Sequence, residues 1–269
     1  MERDVYEEWF ELEACHWWFV GRRRLFMSLI ERTLRESFPA GGSPPLIVDI
    51  GCGTGVTLDA LARFGNVIGV DAADTALEFC RRRNDYSLCQ ARMDALPFDS
   101  ASVDLLTAFD VLEHGPDDGA MLTEAYRVCA PGAWAFFSVP SYRFMWGDHD
   151  VAAHHYRRYT RRDLRRKVRA SGFSIHRTTY LNALLFPVSV VFRQGKNLIS
   201  GAYRRLGGKK SFRTDFRLTE PPLINPLLLR IFSAERHLLK RHDLPFGLSI
   251  CCIARKPAVT TGPREPDNR

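Results

Sequence analysis

The sequence predicts an α/β protein: a doubly wound, mostly parallel seven-stranded sheet, with an N-terminal helical cap and a helical insertion before the last strand. Three observations carry this. Short apolar runs alternate with amphipathic segments of helical length from residue 46 to residue 178, the pattern of repeated strand–helix units. The run at 102–109 is apolar on both faces, as a central parallel strand must be. The run Leu46-Ile47-Val48-Asp49-Ile50 then breaks into Gly51, Gly53 and Gly55 ahead of an amphipathic segment, a strand, tight turn and helix start.

In chain order, residues 1–20 interleave acids with Tyr6, Trp9 and Phe10, then run His16-Trp17-Trp18-Phe19. So many rings need something to cover, so the segment reads as a cap. Residues 22–38 carry Leu25, Leu29, Ile30, Leu34 and Phe38 near helical spacing, and a Gly/Pro/Ser break follows to residue 45. Strands are expected at 46–50, 66–71, 87–92, 102–109, 133–139, 173–178 and 248–254. Helices are expected at 56–64, 73–83 and 117–129. The stretch 141–159 is too polar and broken for the core and reads as a loop or short helix over the strand ends. Thr160 is placed to cap a helix that Gly172 ends. The insertion holds an apolar segment (181–192), a basic loop (195–213), a Pro-Pro turn (221–222) and an amphipathic helix (226–240). The divisions expected are cap helices at 1–44, the sheet domain at 45–180 and 246–257, the insertion at 181–245 as lid or interface, and a disordered tail at 258–269.

With 269 residues, 45% hydrophobic and 26% charged, the chain has room for one large α/β domain and an addition. The net charge of +7 admits nucleic acid, anionic lipid or an acidic substrate, and equally a set of solvated basic helix faces. No nucleic-acid motif accompanies the basic runs, so a nucleic-acid partner is not expected. Seven cysteines without CxxC spacing fit reduced thiols in a cytoplasmic protein, and no metal site is expected. The charged start, Met1-Glu2-Arg3-Asp4, lacks a signal-peptide pattern. The most apolar stretch, 180–192, is 13 residues long with Asn182 and Pro187 inside, short of the roughly 20 a membrane span needs.

Three acids end strands or follow them: Asp49 before the glycines, Asp71 after the second strand, and Asp94 after the third. All would lie at the carboxyl edge of the sheet, where open α/β sheets bind ligands. An acid at Asp71 suits a ribose diol. The glycine spacing is GxGxG, not the GxGxxG of dinucleotide binders, and no Gly-Lys-Ser/Thr follows to make a phosphate loop.

These motifs resemble the class I S-adenosylmethionine-dependent methyltransferases of the type 11 and ubiquinone/menaquinone kind. The residues that carry the likeness are Val48–Gly55, Gly69-Val70-Asp71, Asp94-Ala95-Leu96-Pro97-Phe98, Phe109-Asp110-Val111-Leu112-Glu113-His114, and Pro131-Gly132 before the fifth strand. His16-Trp17-Trp18-Phe19, with Arg22-Arg23, also looks like a bacterial subgroup of that family. The resemblance implies a Rossmann-like methyltransferase fold and S-adenosylmethionine as cofactor. It implies that Gly51, Cys52 and Gly53 hold the methionine part, that Asp49 orients the turn or reaches the amino group, and that Asp71, with Ala72 beside it, accepts the ribose hydroxyls. Asp94 with Ala95 would hold the adenine, and Phe109 and Asp110 would flank the sulfonium.

A hydroxyl acceptor benefits from a general base, and histidine suits because its pKa lies near 7. The candidates are His114, His149, His154 and His155; His149 is the first choice and His154 the second, with Asp148 or Asp150 placed to orient one. Arg157 and Arg158 read either as a clamp on a substrate anion or as a basic helix entrance. The apolar part of the insertion reads as a buried lid or dimer face, or as a peripheral contact with an anionic membrane. The function expected is methyl transfer, O-methylation favoured, to a small-molecule or lipid-linked acceptor. The alternatives are an RNA or protein methyltransferase and a non-catalytic S-adenosylmethionine-binding protein. The acceptor and the oligomeric state are not readable from the sequence.

Overall fold

A computed structural model describes residues 3–35, 43–205 and 223–258, with side chains described outside 196–205. Its centre is a seven-stranded sheet in the order β3-β2-β1-β4-β5-β7-β6. The strands are β1 (Leu46–Ile50), β2 (Asn66–Asp71), β3 (Ser87–Gln90), β4 (Val103–Phe109), β5 (Cys129–Pro140), β6 (Ser174–Leu181) and β7 (Ser249–Arg255). β1 pairs in parallel with β2 and β4, and β4 with β5. β7 runs antiparallel between β5 and β6. The chain reverses its winding at β1 and β4, so the carboxyl ends of these strands open a crevice. β4 and β5 are apolar on both faces and almost wholly buried, since helices cover both sides of the sheet.

The helices are α1 (Arg3–Leu12), α2 (Trp17–Arg35), α3 (Leu58–Leu61), α4 (Asp74–Arg83), α5 (Asp118–Val128), α6 (Asp148–Ala152), α7 (Arg161–Ala170), α8 (Phe186–Arg205) and α9 (Ile224–Leu239). Thr160 caps α7 as expected, its hydroxyl accepting from the Asp163 N–H at 3.2 Å. Asp117 caps α5, accepting from the N–H groups of Gly119 and Ala120.

Four expectations change. The helix expected at 56–64 shrinks to α3, one turn anchored by the fully buried Leu58 and Leu61. The helix expected from Arg22 starts at Trp17, so the paired tryptophans form its first turn. Both rings pack on Phe232 of α9, with centroids 5.9 and 5.8 Å away, and the Trp17 N–H donates to Asn225 Oδ1 at 2.6 Å. The apolar segment at 181–192 is not one element. Leu181 ends β6, the chain turns at Asn182, and α8 starts at Phe186. The fully buried Glu235 of α9 holds this turn, accepting the N–H groups of Asn182 at 2.7 Å and Leu184 at 2.8 Å. The basic loop expected from Gly195 is helical as far as Arg205. The rest of that loop, the Pro-Pro turn, Phe38 and the tail at 259–269 lie outside the described residues. All seven cysteines are free thiols, five of them buried. Among the described residues no helix is long and apolar enough to cross a membrane.

Candidate active site

The crevice deepens into a cavity of about 990 Å³ walled by the carboxyl ends of the central strands, the cap helices, the 141–159 stretch and α8. At one end lies the glycine turn. Gly51 and Gly53 both have left-handed φ, +67° and +56°. A Cβ on Gly53 would meet nothing within 4 Å, so the turn presents bare backbone to the cavity. Asp71, at the tip of β2, grips the turn: one carboxylate oxygen accepts the Gly53 N–H at 3.0 Å, the other the Ala73 N–H at 2.9 Å. Each oxygen keeps a second acceptor direction. Burial raises the Asp71 carboxyl above its ordinary range. Asp49 lies deeper, its Oδ1 accepting from Thr107 Oγ1 at 2.6 Å; burial pushes it up to about 7.

The cap reaches this end directly. Glu13 hydrogen-bonds the Thr54 hydroxyl of the turn. Arg83 of α4 ties both together, donating to Glu13 Oε2 at 3.1 Å and to the Thr54 carbonyl at 2.7 Å. From α2, Arg22 enters the cavity wall and pairs with Asp110, which also accepts from Ser138 Oγ at 2.8 Å. Phe26 stacks on Phe109 with centroids 4.1 Å apart and planes within 3°.

The other end is built of imidazoles. His149 of α6 stacks beside Trp9 of the cap, 6.5 Å between centroids. The His155 ring stands edge-on to His149 at 5.8 Å and to His114 at 4.6 Å. Asp150 anchors the group. Its fully buried carboxylate meets His155 Nδ1 at 2.9 Å, takes two bonds from Arg158 at 2.7 and 3.0 Å, and accepts the Gly147 N–H at 2.8 Å. Burial alone would raise this carboxyl, but the bonds from His155 and Arg158 overcome that and hold it well below its ordinary range. An ionised Asp150 only accepts, so His155 Nδ1 carries a proton toward it and Nε2 is the nitrogen left facing away. Loss of bulk water, then the charge of His155, lowers His149 to about 3 and His114 to about 4. Beside them Glu113 is fully buried, and neither carboxyl oxygen has a hydrogen-bond partner. Burial, then the charge of Asp110, raises it well above the carboxylate range. One ligand-capable atom from each of Glu113, His114 and His155 lies within 4.8 Å of the others, the one such group among the described residues.

Asp49, Gly51, Cys52, Gly53, Asp71, Ala72, Asp94, Phe109, Asp110, His149 and His154 all line the cavity. Ala95 does not. A tight turn spends its N–H on the Arg92 carbonyl at 3.1 Å and leaves it exposed, while Met93 faces inward. Asp94 reaches the rim and pairs with Arg92 at 2.5 and 2.8 Å. His154 sits exposed at φ +55°. Arg157 and Arg158 are engaged within the protein, Arg157 on Asp118 at 3.1 Å and on the Gly115 carbonyl, Arg158 on Asp150. Of the two readings open for them, a substrate clamp and a basic helix entrance, the clamp has no support in this geometry. Sequence reasoning gave Glu113 no task, left Arg22 between an anion clamp and a basic helix face, and did not foresee that Asp150 holds His155. Glu113 stood inside a recognised motif, but no one-dimensional signal tells that its oxygens lack partners.

The fold and the glycine–Asp71 arrangement are those of a class I S-adenosylmethionine-dependent methyltransferase domain. Residues 48–137, about a third of the chain, match the family described as "Methyltransferase domain", and this match supports S-adenosylmethionine as the cofactor. The ubiquinone biosynthesis O-methyltransferase of Paracidovorax citrulli is 35% identical over 100 residues, 34% of this chain and 42% of that protein. The match therefore spans under half the length of this relative. Among solved structures, a chain from the complex of the Haloferax volcanii Trm112 methyltransferase activator with a methyltransferase is similar over 95% of this chain and 97% of its own, with TM-score 0.57 and 18% identity. The Haemonchus contortus phosphoethanolamine N-methyltransferase 2 in complex with S-adenosyl-L-methionine is similar over 84% of this chain and 52% of its own, with TM-score 0.50 and 16% identity. At such identities these structures speak for the fold alone.

Proposed function

We propose that the protein transfers a methyl group from S-adenosylmethionine to a hydroxyl of a small-molecule or lipid-linked acceptor. The observation that carries this reading is one cavity with a carboxylate-lined glycine turn at one end and an Asp150-anchored imidazole group at the other. The residues fit the cofactor. Gly53 leaves an open cradle, Asp71 has acceptor capacity for a ribose, and Asp49 and Asp110 supply carboxylates toward an ammonium and a sulfonium. When bound, S-adenosylmethionine supplies a methyl group already activated on a positive sulfur.

The chain's own task is then to orient, to exclude water and to take a proton. The cap helices close the cavity from above, with Glu13, Arg22 and Trp9 on its wall. His149, on the wall, is the proposed base, with the exposed His154 the second candidate. With its pKa at about 3, His149 is unprotonated but weakly basic, so it acts on a hydroxyl that is itself acidified or that leaves an oxyanion to pair with the imidazolium. The name of the Paracidovorax relative supports a hydroxyl acceptor. An apolar tail on the acceptor is supported by α8, where Val188 and Phe192 line the cavity yet stay 68% and 53% exposed. The same residues would meet a bilayer surface in a peripheral contact.

Calorimetry with S-adenosylmethionine tests the first part: the wild type binds, and Asp71→Ala loses binding. No binding by the wild type would sink the reading. Turnover of labelled methyl on phenols and catechols with short and long alkyl tails tests the second. His149→Ala should lower kcat by about 10²–10⁴-fold with cofactor affinity unchanged. Flotation with anionic vesicles tests the membrane contact, and protein remaining at the bottom of the gradient refutes it.

A further inference from the structure

Glu113, His114 and His155 have no task in proton removal by His149, and their arrangement has a chemistry of its own. Each offers one donor atom, an oxygen and two imidazole nitrogens, and these lie within 4.8 Å of one another on the wall of the cavity. Glu113 is fully buried with both oxygens unpartnered, which a fold rarely tolerates without a ligand for them. The nearby cations do not supply one. Arg22 is paired with Asp110 and Arg158 with Asp150, and neither bonds Glu113. His155 is already oriented, because its Nδ1 donates to Asp150 at 2.9 Å and its Nε2 is left over. A carboxylate behind an imidazole in this way is the usual support of a metal-binding histidine.

We propose that Glu113, His114 and His155 form a binding site for a divalent first-row transition-metal ion. Two nitrogens and one carboxylate oxygen favour zinc, cobalt or iron over magnesium or calcium, which prefer all-oxygen shells. Bonds of about 2.1 Å place neighbouring ligands about 3–3.5 Å apart, so the group closes by about 1–2 Å on binding. Glu113 and His114 share the short 3-10 turn Leu112–His114 and make that movement, while Asp150 holds His155 still. Three protein ligands leave positions open toward the cavity. If the proposed methyl transfer holds, an acceptor hydroxyl takes one of them, and its lowered pKa eases loss of the proton to His149. The oxygen then bonds the methyl carbon, the carbon–sulfur bond breaks to leave a neutral thioether, and the ion is not consumed. Binding of the ion itself does not depend on that reading.

The test uses the full chain, stripped with chelator, without cofactor or acceptor. Cobalt(II) alone is titrated and followed by its visible absorption, and zinc(II) by calorimetry. The expected result is one ion per chain, with magnesium at least tenfold weaker. Glu113→Gln and His155→Ala should each weaken cobalt by at least tenfold while circular dichroism and S-adenosylmethionine affinity stay at wild-type values. Glu113→Gln keeps the side-chain volume, and His114→Ala provides a second variant on the same turn. Equal cobalt affinity in wild type, Glu113→Gln and His155→Ala overturns the site. Metal binding that the variants abolish, in a protein that methylates no acceptor, leaves the site standing and removes the methyl-transfer reading.

Discussion

Alanine at Gly51 and at Gly53 should fail in different ways. Both glycines sit in the left-handed region, φ +67° and +56°, where an L-residue costs about 1–2 kcal/mol. A Cβ on Gly51 would stand 2.4 Å from Val111 Cγ2, an overlap that adds about 1–3 kcal/mol. A Cβ on Gly53 meets nothing within 4 Å. Gly51→Ala should therefore lose about 3 kcal/mol and Gly53→Ala about 1 kcal/mol. For a chain of this length that is about 10 °C and about 3 °C in Tm. Saturating S-adenosylmethionine, at about a hundred times Kd, should raise wild-type stability by about 2.7 kcal/mol. Gly53→Ala should keep little of that increment, because its methyl stands in the cradle the ligand would use. Thermal and urea unfolding with and without S-adenosylmethionine reads all of these quantities. If ligand-free Gly53→Ala is as unstable as Gly51→Ala, or if it keeps the full ligand increment, the account of the turn is wrong.

Arg83→Ala strands the buried Glu13 carboxyl beside Thr54 and should cost about 3 kcal/mol in urea unfolding; adding Glu13→Gln should recover part of it, and strictly additive losses would refute the pairing. Asp49, pushed up to about 7, holds its proton more tightly folded than unfolded, so its effect runs against stability as pH rises from about 4 to 7 and then levels. Asp49→Asn should remove that decline, of about 4 kcal/mol, from a stability–pH profile. Burial alone would raise the Asp118 carboxyl, but bonds from Lys167 at 2.7 Å and Tyr159 at 2.8 Å hold it low. Its contribution is full above about pH 4 and is lost as pH falls through the depressed value, so Asp118→Asn should lower stability at pH 7 and flatten the acid limb.

The parallel part of the sheet was legible because short apolar runs recur there with turn signals between them, even though β3 runs to β4 without a helix and β1 is followed by a single helical turn. The direction of β7 was not, since the run Ser249-Ile250-Cys251-Cys252-Ile253 is apolar whichever way it points. The glycine turn and its acids could be read because backbone chemistry demands those residue types at those positions. The helix at 56–64 was overcalled because its amphipathic spacing outlasts the single turn that Leu58 and Leu61 anchor. Choosing among the histidines was harder. His154 and His155 are adjacent, and a positive φ at His154 turns one to solvent and the other onto Asp150, which no spacing rule foresees. Ala95 was lost to a tight turn, and the pairing of Arg22 was not legible because its partner, Asp110, lies 88 residues along the chain.

The position of β7 between β5 and β6 bears on how the molecule comes into being. β6 finds its sheet partner in β7, and β7 is made after nearly all of the cavity described above, Leu248 and Ser249 being the last of its wall. During synthesis the glycine turn, the imidazole group and the helices around them have all been made before the strand that joins β6 to the sheet exists. Until then the outer edge of β5 stands open, an unpaired row of backbone groups beside a loaded apolar surface. A nascent chain of this protein therefore carries a nearly complete site on an unfinished sheet, and a pause in translation shortly before Ser249 is where it is most exposed to aggregation.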